Sequence, residues 1–368
     1  MAEPPRVASG ARLTVDLDAL AHNHAVIRAE AAGAEVAPVL KADAYGLGVG
    51  PVARRLWAEG ARSFFVARLA EGEALRTALT PGRPATIYVL DGLTEGAAPR
   101  LAAAGLTPVL NTLPQVTAAT SVAGVAGQPL TVALHVDTGM NRQGLTTDEC
   151  RALAQSTDRL RGLDVGLVMS HLGSAAEPEN PRNANQLAAF LDVRARFPDA
   201  RASLSASAGA FLGPDYRYDM VRAGISLYGG GPEERPDPRL KAVATLAAPI
   251  LDIRELQPGD RVGYGTMFAA DRPMRIAVVG AGYADGFLRA AAGKASVWCA
   301  GAPRRVLTVN MDLMTVDLGT SEASAGDTVE LLGPNAALDD LALASKTVAH
   351  EVLVRLSARA ERVYTRDV

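Results

Sequence analysis

The chain has 368 residues, 48% of them hydrophobic, with 37 Lys+Arg against 40 Asp+Glu and a formal net charge of −3. This is enough apolar material for a large core and two domains, and the mixed charges leave no basic face for nucleic acid and no acidic tail. Cys150 and Cys299 are too few for a disulfide framework and lack metal-ligand spacing, so no metal is expected and both read as packing residues of a protein in a reducing cytoplasm.

The opening Met1-Ala2-Glu3-Pro4-Pro5 has no apolar run behind a basic patch, so no signal peptide is expected. No stretch of about eighteen apolar residues follows, so no membrane span is expected either. A helix is predicted over 18–31, with Asp18 placed to cap it. Eight β-branched or apolar runs come next, near 36–41, 63–67, 85–90, 107–110, 130–136, 164–171, 201–205 and 219–223. Helical patterns such as 51–59, 71–79 and 183–197 separate most of them, and Pro51 suits a first helical position. Strand–helix alternation repeated eight times predicts an α/β architecture, a parallel (β/α)8 TIM-type barrel. A doubly wound sheet is the rival, but no G-x-G-x-x-G follows the first strand.

Residues 229–238 combine glycine, proline and charge without periodicity and read as a linker. Beyond them, short runs at 274–279, 304–309, 314–318 and 328–332 are broken by Pro258-Gly259-Asp260 and Ala325-Gly326-Asp327. The expected organisation is a barrel over 11–230 and a mostly β C-terminal domain over 239–368, with residues 1–10 available to pack against the latter.

Lys41 is the most informative residue. It ends an apolar run inside Val39-Leu40-Lys41-Ala42-Asp43-Ala44-Tyr45-Gly46-Leu47-Gly48, where a strand should stop and a glycine-containing turn should open a helix. Partial desolvation disfavours a charged amine, and a neutral amine attacks an aldehyde to form a Schiff base. The ordinary alternative is a lysine marking the solvent edge of a strand. Barrel enzymes carry their chemistry at the C-terminal ends of the strands. Lys41 ends the first run, His135 the fifth with Arg142 in its loop, His171 the sixth, Ser205 the seventh and Arg222 the eighth, so these polar residues converge on one mouth.

The Lys41 segment resembles the pyridoxal-phosphate lysine motif of bacterial alanine racemases. Further motifs similar to that family follow in order: His135-Val136-Asp137-Thr138-Gly139-Met140-Asn141-Arg142, Ser170-His171-Leu172, Val221-Arg222-Ala223-Gly224-Ile225, Gly263-Tyr264-Gly265, Gly282-Tyr283-Ala284-Asp285-Gly286 and Met311-Asp312. The resemblance implies pyridoxal 5'-phosphate as cofactor and racemisation of L- and D-alanine, feeding D-alanine to peptidoglycan. Lys41 would carry the cofactor, and Tyr45, Ser207, Gly224 and Ile225 would hold its phosphate. Glycine lets backbone approach an anion, and loops after the last barrel strands are a usual phosphate site; a helix cap at Ser207 and a plain turn at Gly224 are the alternatives. Arg222 would face the pyridine nitrogen. It cannot give up its proton to that nitrogen, so the ring is a weaker electron sink and prompt reprotonation is favoured over transamination.

Racemisation needs acid–base groups on both faces of the α-carbon. The resemblance assigns Lys41 to one and Tyr264 to the other, with Tyr264 arriving from the second subunit of a head-to-tail homodimer. A phenol of pKa about 10 needs a polarising neighbour, which the resemblance supplies as His171, bonded to both Tyr264 and Arg222. Without the family, Tyr264 reads as a strand aromatic, His171 as a core or surface residue and Arg222 as an ion-pair residue. By the same resemblance Tyr283 and the Met311-Asp312 loop also come from the second subunit: Arg142 and the Met311 amide would bind the substrate carboxylate, and Tyr283 and Asp312 would line a narrow entrance that weakly favours a methyl side chain.

Two positions depart from the family pattern. His135 stands where many members have a carbamylated lysine that orients the arginine seven residues on, so Arg142 is expected to be held by Gln143, Asp137 or a bound anion. Ala358 stands where some members have a phosphate-binding tyrosine. Other readings are a broad-specificity amino-acid racemase, a decarboxylase of basic amino acids, which Arg222 opposes because that family pairs the ring nitrogen with a carboxylate, and a non-catalytic single-barrel cofactor carrier, which the second domain opposes.

Overall fold

The computed structural model describes residues 10–80, 82–265, 267–356 and 358–365. Residues 1–9, for which packing against the β domain was expected, lie outside these. The chain divides into two compact units, one containing 23–44 and 48–227, the other 10–22, 45–47 and 228–365.

The first unit is the predicted parallel barrel. Its strands are Glu35–Pro38, Ser63–Val66, Thr86–Val89, Thr107–Leu110, Leu130–His135, Leu163–Met169, Arg201–Ser203 and Met220–Ala223. Each pairs in parallel with its neighbour, the first with the last, and the bridges Val39–Phe65 and Ala206–Arg222 close the two remaining seams. Strands covered on both faces carry apolar residues continuously rather than alternately. Ser63–Val66, Thr107–Leu110 and Met220–Ala223 are accordingly buried at every position.

The intervening helices begin where side chains can take up orphan N–H groups. Thr112 accepts from Gln115 N, Thr146 from Glu149 N, and Asn180 from Arg182 N. The helix Leu17–Ala31 corrects one expectation: Asp16, not Asp18, is its cap, its Oδ1 accepting from Asp18 N and Ala19 N at 2.9 Å each. Asp18 sits one position inside, where its charge still favours the positive end of the helix dipole. Pro51 is the third residue of Val49–Ala58 rather than the first, still within the turn whose N–H groups lack partners.

The second unit is mostly β, as expected. Eight strands form one sheet in the order Met274–Val279, Met314–Asp317, Ala302–Val309, Ser296–Cys299, Thr328–Leu332, Ala244–Leu256, Arg12–Asp16, Glu361–Thr365. Ala244–Leu256 pairs with Thr328–Leu332 along its first half and with Met274–Val279 along its second, so the sheet curls back on itself. Arg12–Asp16, grouped with the barrel by its place in the sequence, pairs here with Ala244–Leu256 and Glu361–Thr365. A five-residue strand that alternates Leu13 and Val15 with polar residues carries no local signal of its partner, which is set by residues over 200 positions away.

Phe65 is fully buried, its ring stacks on Tyr88 with centroids 4.6 Å apart, and its carbonyl accepts from Leu40 N. Phe65→Ala should cost about 3–5 kcal/mol in urea denaturation, and a loss under about 1 kcal/mol would refute this packing.

Candidate active site

The first barrel strand ends at Pro38, and the chain then enters a turn of unusual hand. Ala42, Asp43, Ala44 and Tyr45 all have φ of 54–56°, a left-handed helical turn built from L-residues. Each such residue costs roughly 1–2 kcal/mol, and strain of this kind persists only where its surroundings over-determine it. Here Ala44 N donates to Leu40 O, Gly48 N to Asp43 O, and Val49 N to Asp43 Oδ1. Glu71 Oε1 accepts from Ala42 N at 2.8 Å. The turn presents Lys41 half-buried. Burial and the charge of Arg142 hold its amine below the ordinary lysine pKa, while Glu71 acts in the opposite direction.

Around that amine the barrel collects positive groups. Arg222, 3% exposed, ends the eighth strand and donates to Ser203 O, Ser203 Oγ, Ser170 O and His171 Nδ1, the last at 3.3 Å. Burial draws its pKa down to about 9, and the ring of acceptors keeps the proton in place. Because a guanidinium only donates, His171 Nδ1 must be the acceptor, which leaves its proton on Nε2. Burial and the neighbouring Arg222, Arg142, His135 and Lys41 hold His171 well below the ordinary histidine value, so it is neutral.

His135 is also neutral, its pKa lowered to about 4 by burial and by Arg222 and Arg142. Its Nδ1 lies 2.8 Å from Asn111 Oδ1, and Asn111 spends its amide hydrogens on Leu90 O and Val109 O. The network therefore puts the proton on Nδ1 and leaves Nε2 as an acceptor. The expected protein anchors of Arg142 are not engaged: Asp137 Oδ1 instead accepts from Gly139 N and Met140 N within its own loop. Arg142 is exposed and forms no side-chain hydrogen bond or ion pair among the described residues. A two-residue reach favours backbone amides over an arginine five positions on.

Ser207 lies beyond the seventh strand. Its Oγ accepts from Gly224 N at 2.8 Å and from Ser226 N at 3.3 Å, leaving its own proton without an acceptor among the described residues. Ile225 opens the short turn Ile225–Tyr228, and the buried Ser226 Oγ has no partner among the described residues. Two hydroxyls and a turn start thus form a buried, donor-rich corner beside the eighth strand.

The remaining predicted residues belong to the second unit. Tyr45 is buried against the Tyr228 ring at 4.7 Å and the His350 ring at 5.7 Å, and burial pushes its hydroxyl pKa up. Tyr264 is 81% exposed, and Tyr283 and Met311 are also exposed. Tyr283 N donates to Asn310 O and Ala284 N to Met311 O, an approach so close that a Cβ on Gly282 would lie 2.2 Å from Asn310 O. Arg359 forks onto both oxygens of Asp285 and pairs with Asp312, fixing both loops. Ala358 is exposed and has no hydroxyl to offer. The sequence reading missed Glu71, Asn111, Ser203, Ser226 and Arg359. Glu71 alone had a local signal, a glutamate early in a helix; the others act through partners far along the chain.

A parallel barrel whose mouth gathers one depressed amine, two arginines and two neutral histidines belongs to the class of barrel enzymes that take an anionic ligand. Residues 15–232 and 243–364 match the family models described as the N-terminal and C-terminal domains of alanine racemase. An alanine racemase of Methylobacterium sp. (strain 4-46) is 42% identical over 96% of this chain and 98% of its own. A protein of Mesorhizobium japonicum named as a catabolic alanine racemase is also 42% identical, over 97% of this chain and 94% of its own. Among solved structures, the Bartonella henselae alanine racemase with covalently bound pyridoxal phosphate superposes with a TM-score of 0.91 at 32% identity, covering 97% of this chain and 100% of that one. A biosynthetic alanine racemase of Pseudomonas aeruginosa gives 0.87 at 34% identity, covering 97% and 100%. The chain belongs to the alanine racemase family, whose members are pyridoxal-phosphate isomerases.

The neutral histidines set a pH dependence. His135 and His24 are lowered to about 4, and His171 lies well below 6.5. The unfolded chain therefore binds more protons than the native one below pH 6.5, and stability falls as pH drops from 6.5 toward 4. His135 by itself accounts for about 3 kcal/mol across that window. The urea midpoint should fall between pH 7 and pH 4.5, less steeply in His135→Asn. A midpoint that stays level would refute the buried neutral histidines.

Proposed function

We propose that this chain interconverts L- and D-alanine with pyridoxal 5'-phosphate as cofactor, by a two-base mechanism, in a cytoplasmic homodimer that supplies D-alanine for peptidoglycan. The observation that carries the reading is the mouth itself: a lysine with a weakened hold on its proton, in a barrel end that also holds Arg142 and the buried Arg222, and whose nearby carboxylates Glu71, Asp43 and Asp137 each accept from backbone N–H groups.

The residues fit the cofactor. An anionic phosphate suits the corner of Ser207, Gly224 and Ile225, where the Ser207 proton lacks an acceptor and Ser226 Oγ is orphaned. Tyr45 adds a hydroxyl in the family pattern; with Ala358 exposed and lacking one, that contact is missing. Pyridoxal phosphate, when bound, draws electrons from the substrate α-carbon and so acidifies its proton. Arg222 would face the ring nitrogen as a fixed cation and moderate that sink. The absence of a carboxylate there disfavours the decarboxylase reading, in which an acid strengthens it.

Lys41 would hold the cofactor and move the α-proton on one face. Tyr264 of each protomer serves the site of its partner on the other face, and the 81% exposure of this aromatic supports a role at a subunit contact. His171, with its proton on Nε2, would donate toward the phenol oxygen. Arg142 and the Met311 amide of the partner subunit would hold the substrate carboxylate. Tyr283 of the partner subunit and Asp312 of the partner subunit would narrow the entrance and favour a methyl side chain, though a pocket discriminates one methylene by only about 1–3 kcal/mol. Neutral His135 offers Nε2 as an acceptor, leaving a bound anion such as chloride to complete the holding of Arg142.

Chiral analysis of products after incubation with each common L-amino acid tests the assignment. Racemisation confined to alanine supports it, comparable rates on several amino acids favour a broad-specificity racemase, and loss of the carboxyl group would refute both. Lys41→Ala should abolish the yellow absorbance and lower activity by about 10³-fold or more; a yellow, active variant would overturn the role of Lys41. Tyr264→Ala should slow solvent isotope exchange from one enantiomer by about 10²–10⁴-fold more than from the other, and equal wash-in would remove it as the opposing base. Added bicarbonate should leave the rate unchanged, because His135 cannot form a carbamate.

A further inference from the structure

We propose that Glu71 is a positioning residue for Lys41: its carboxylate fixes the peptide plane that follows the lysine, and with it the left-handed turn, while facing the amine with negative charge. The inference rests on the reading of Lys41 as the cofactor lysine.

Glu71 is the third residue of the helix Leu69–Leu79, and its Oε2 accepts from Ala67 N at 2.8 Å and Arg68 N at 3.0 Å. That half of the carboxylate does ordinary capping, a glutamate in the first turn reaching back to the residue before the helix. Capping does not account for the other half. Oε1 crosses to the first strand's end and accepts from Ala42 N at 2.8 Å, 29 positions away. The peptide carrying that N–H also carries the Lys41 carbonyl, so the bond sets the direction in which the lysine leaves the strand. The four residues that follow are held at φ of 54–56°, a conformation only glycine adopts without strain. One carboxylate therefore ties the ends of two neighbouring barrel strands to the strained turn, and charge-assisted bonds are the strong ones.

The charged and titratable groups at the mouth around the amine include Arg222 on the eighth strand and His135 at the end of the fifth, together with groups from four other segments. Glu71 follows the second strand, Arg142 lies in the loop after the fifth, and His171 follows the sixth. Asp43 shares the turn of Lys41 and spends Oδ1 on Val49 N. Arg142 disfavours the protonated amine and Glu71 favours it.

Full-length holoenzyme carrying Glu71→Gln is the test. Glutamine keeps the size and one acceptor for capping, but loses the charge and the second acceptor. Amide hydrogen exchange over 42–45 should quicken by about tenfold with the helix 69–79 unchanged. The acid limb of the kcat/KM profile should move to lower pH, and kcat should fall more than KM rises. Adding Ala42→Gly should restore part of both the exchange protection and kcat, since glycine holds positive φ without help. Glu71→Asp retains the charge but shortens the reach. It should quicken exchange while leaving the pH profile near that of wild type, and it serves as the test if Glu71→Gln does not fold. Exchange at 42–45 and a pH profile both indistinguishable from wild type would overturn the proposal. Borohydride reduction and peptide mapping of the wild-type enzyme separate the two readings. Cofactor mass on a lysine other than Lys41 would remove the cofactor-lysine reading, whereas mass on Lys41 with silent Glu71 variants would remove only this one.

Discussion

A guanidinium buried without a carboxylate governs the barrel mouth. Arg222 has carbonyls, a hydroxyl and an imidazole for company, and no ion pair among the described residues. A charge in that setting is retained because acceptors meet both terminal nitrogens. Its consequences spread outward. It forces His171 to accept at Nδ1, which fixes the tautomer, and it helps hold both His171 and His135 neutral. The unbalanced positive charge makes the mouth a receptor for anions, which a phosphorylated cofactor and an amino-acid carboxylate both are.

The lysine is delivered to this mouth by strain rather than by a regular element. A right-handed helix opening directly after Lys41 would carry the chain along a different path, whereas the left-handed turn delays the helix until Val49. The cost of the turn is offset by bonds that reach it from outside, above all from Glu71. Two loops of the second unit show the same economy. A glycine too close to its neighbour for any Cβ lets the Tyr283 and Met311 segments share backbone bonds, and one arginine fork fixes both. In each case a residue remote in sequence holds a candidate site residue still, as catalysis at fixed geometry would require.

Much of this was legible beforehand. The eight barrel strands could be read within a few residues because strands buried on both faces show unbroken apolar runs between Ala/Leu/Arg-rich helices, a local signal. The site lysine could be read because it ends such a run. What escaped were partners. Asp16 and Asp18 are equally good caps by type, and only the helix boundary chooses between them. Asn111 is an unremarkable residue after a strand until His135 is set against it, and Asp137, one of the anchors expected for Arg142, bonds the backbone of its own loop instead.

The sequence by itself determined the alternation that closes a barrel, the β character of the C-terminal region and the order of the polar residues at strand ends. All three follow from periodicity and residue type, which operate over a few positions. Tertiary structure alone decided the pairing of Arg12–Asp16 with the far sheet, the tautomers of His135 and His171, the hand of the turn after Lys41 and the reach of Glu71 to Ala42. Each depends on groups brought together from distant parts of the chain. Hydrogen-bond partners and desolvation come into being only when the core has formed.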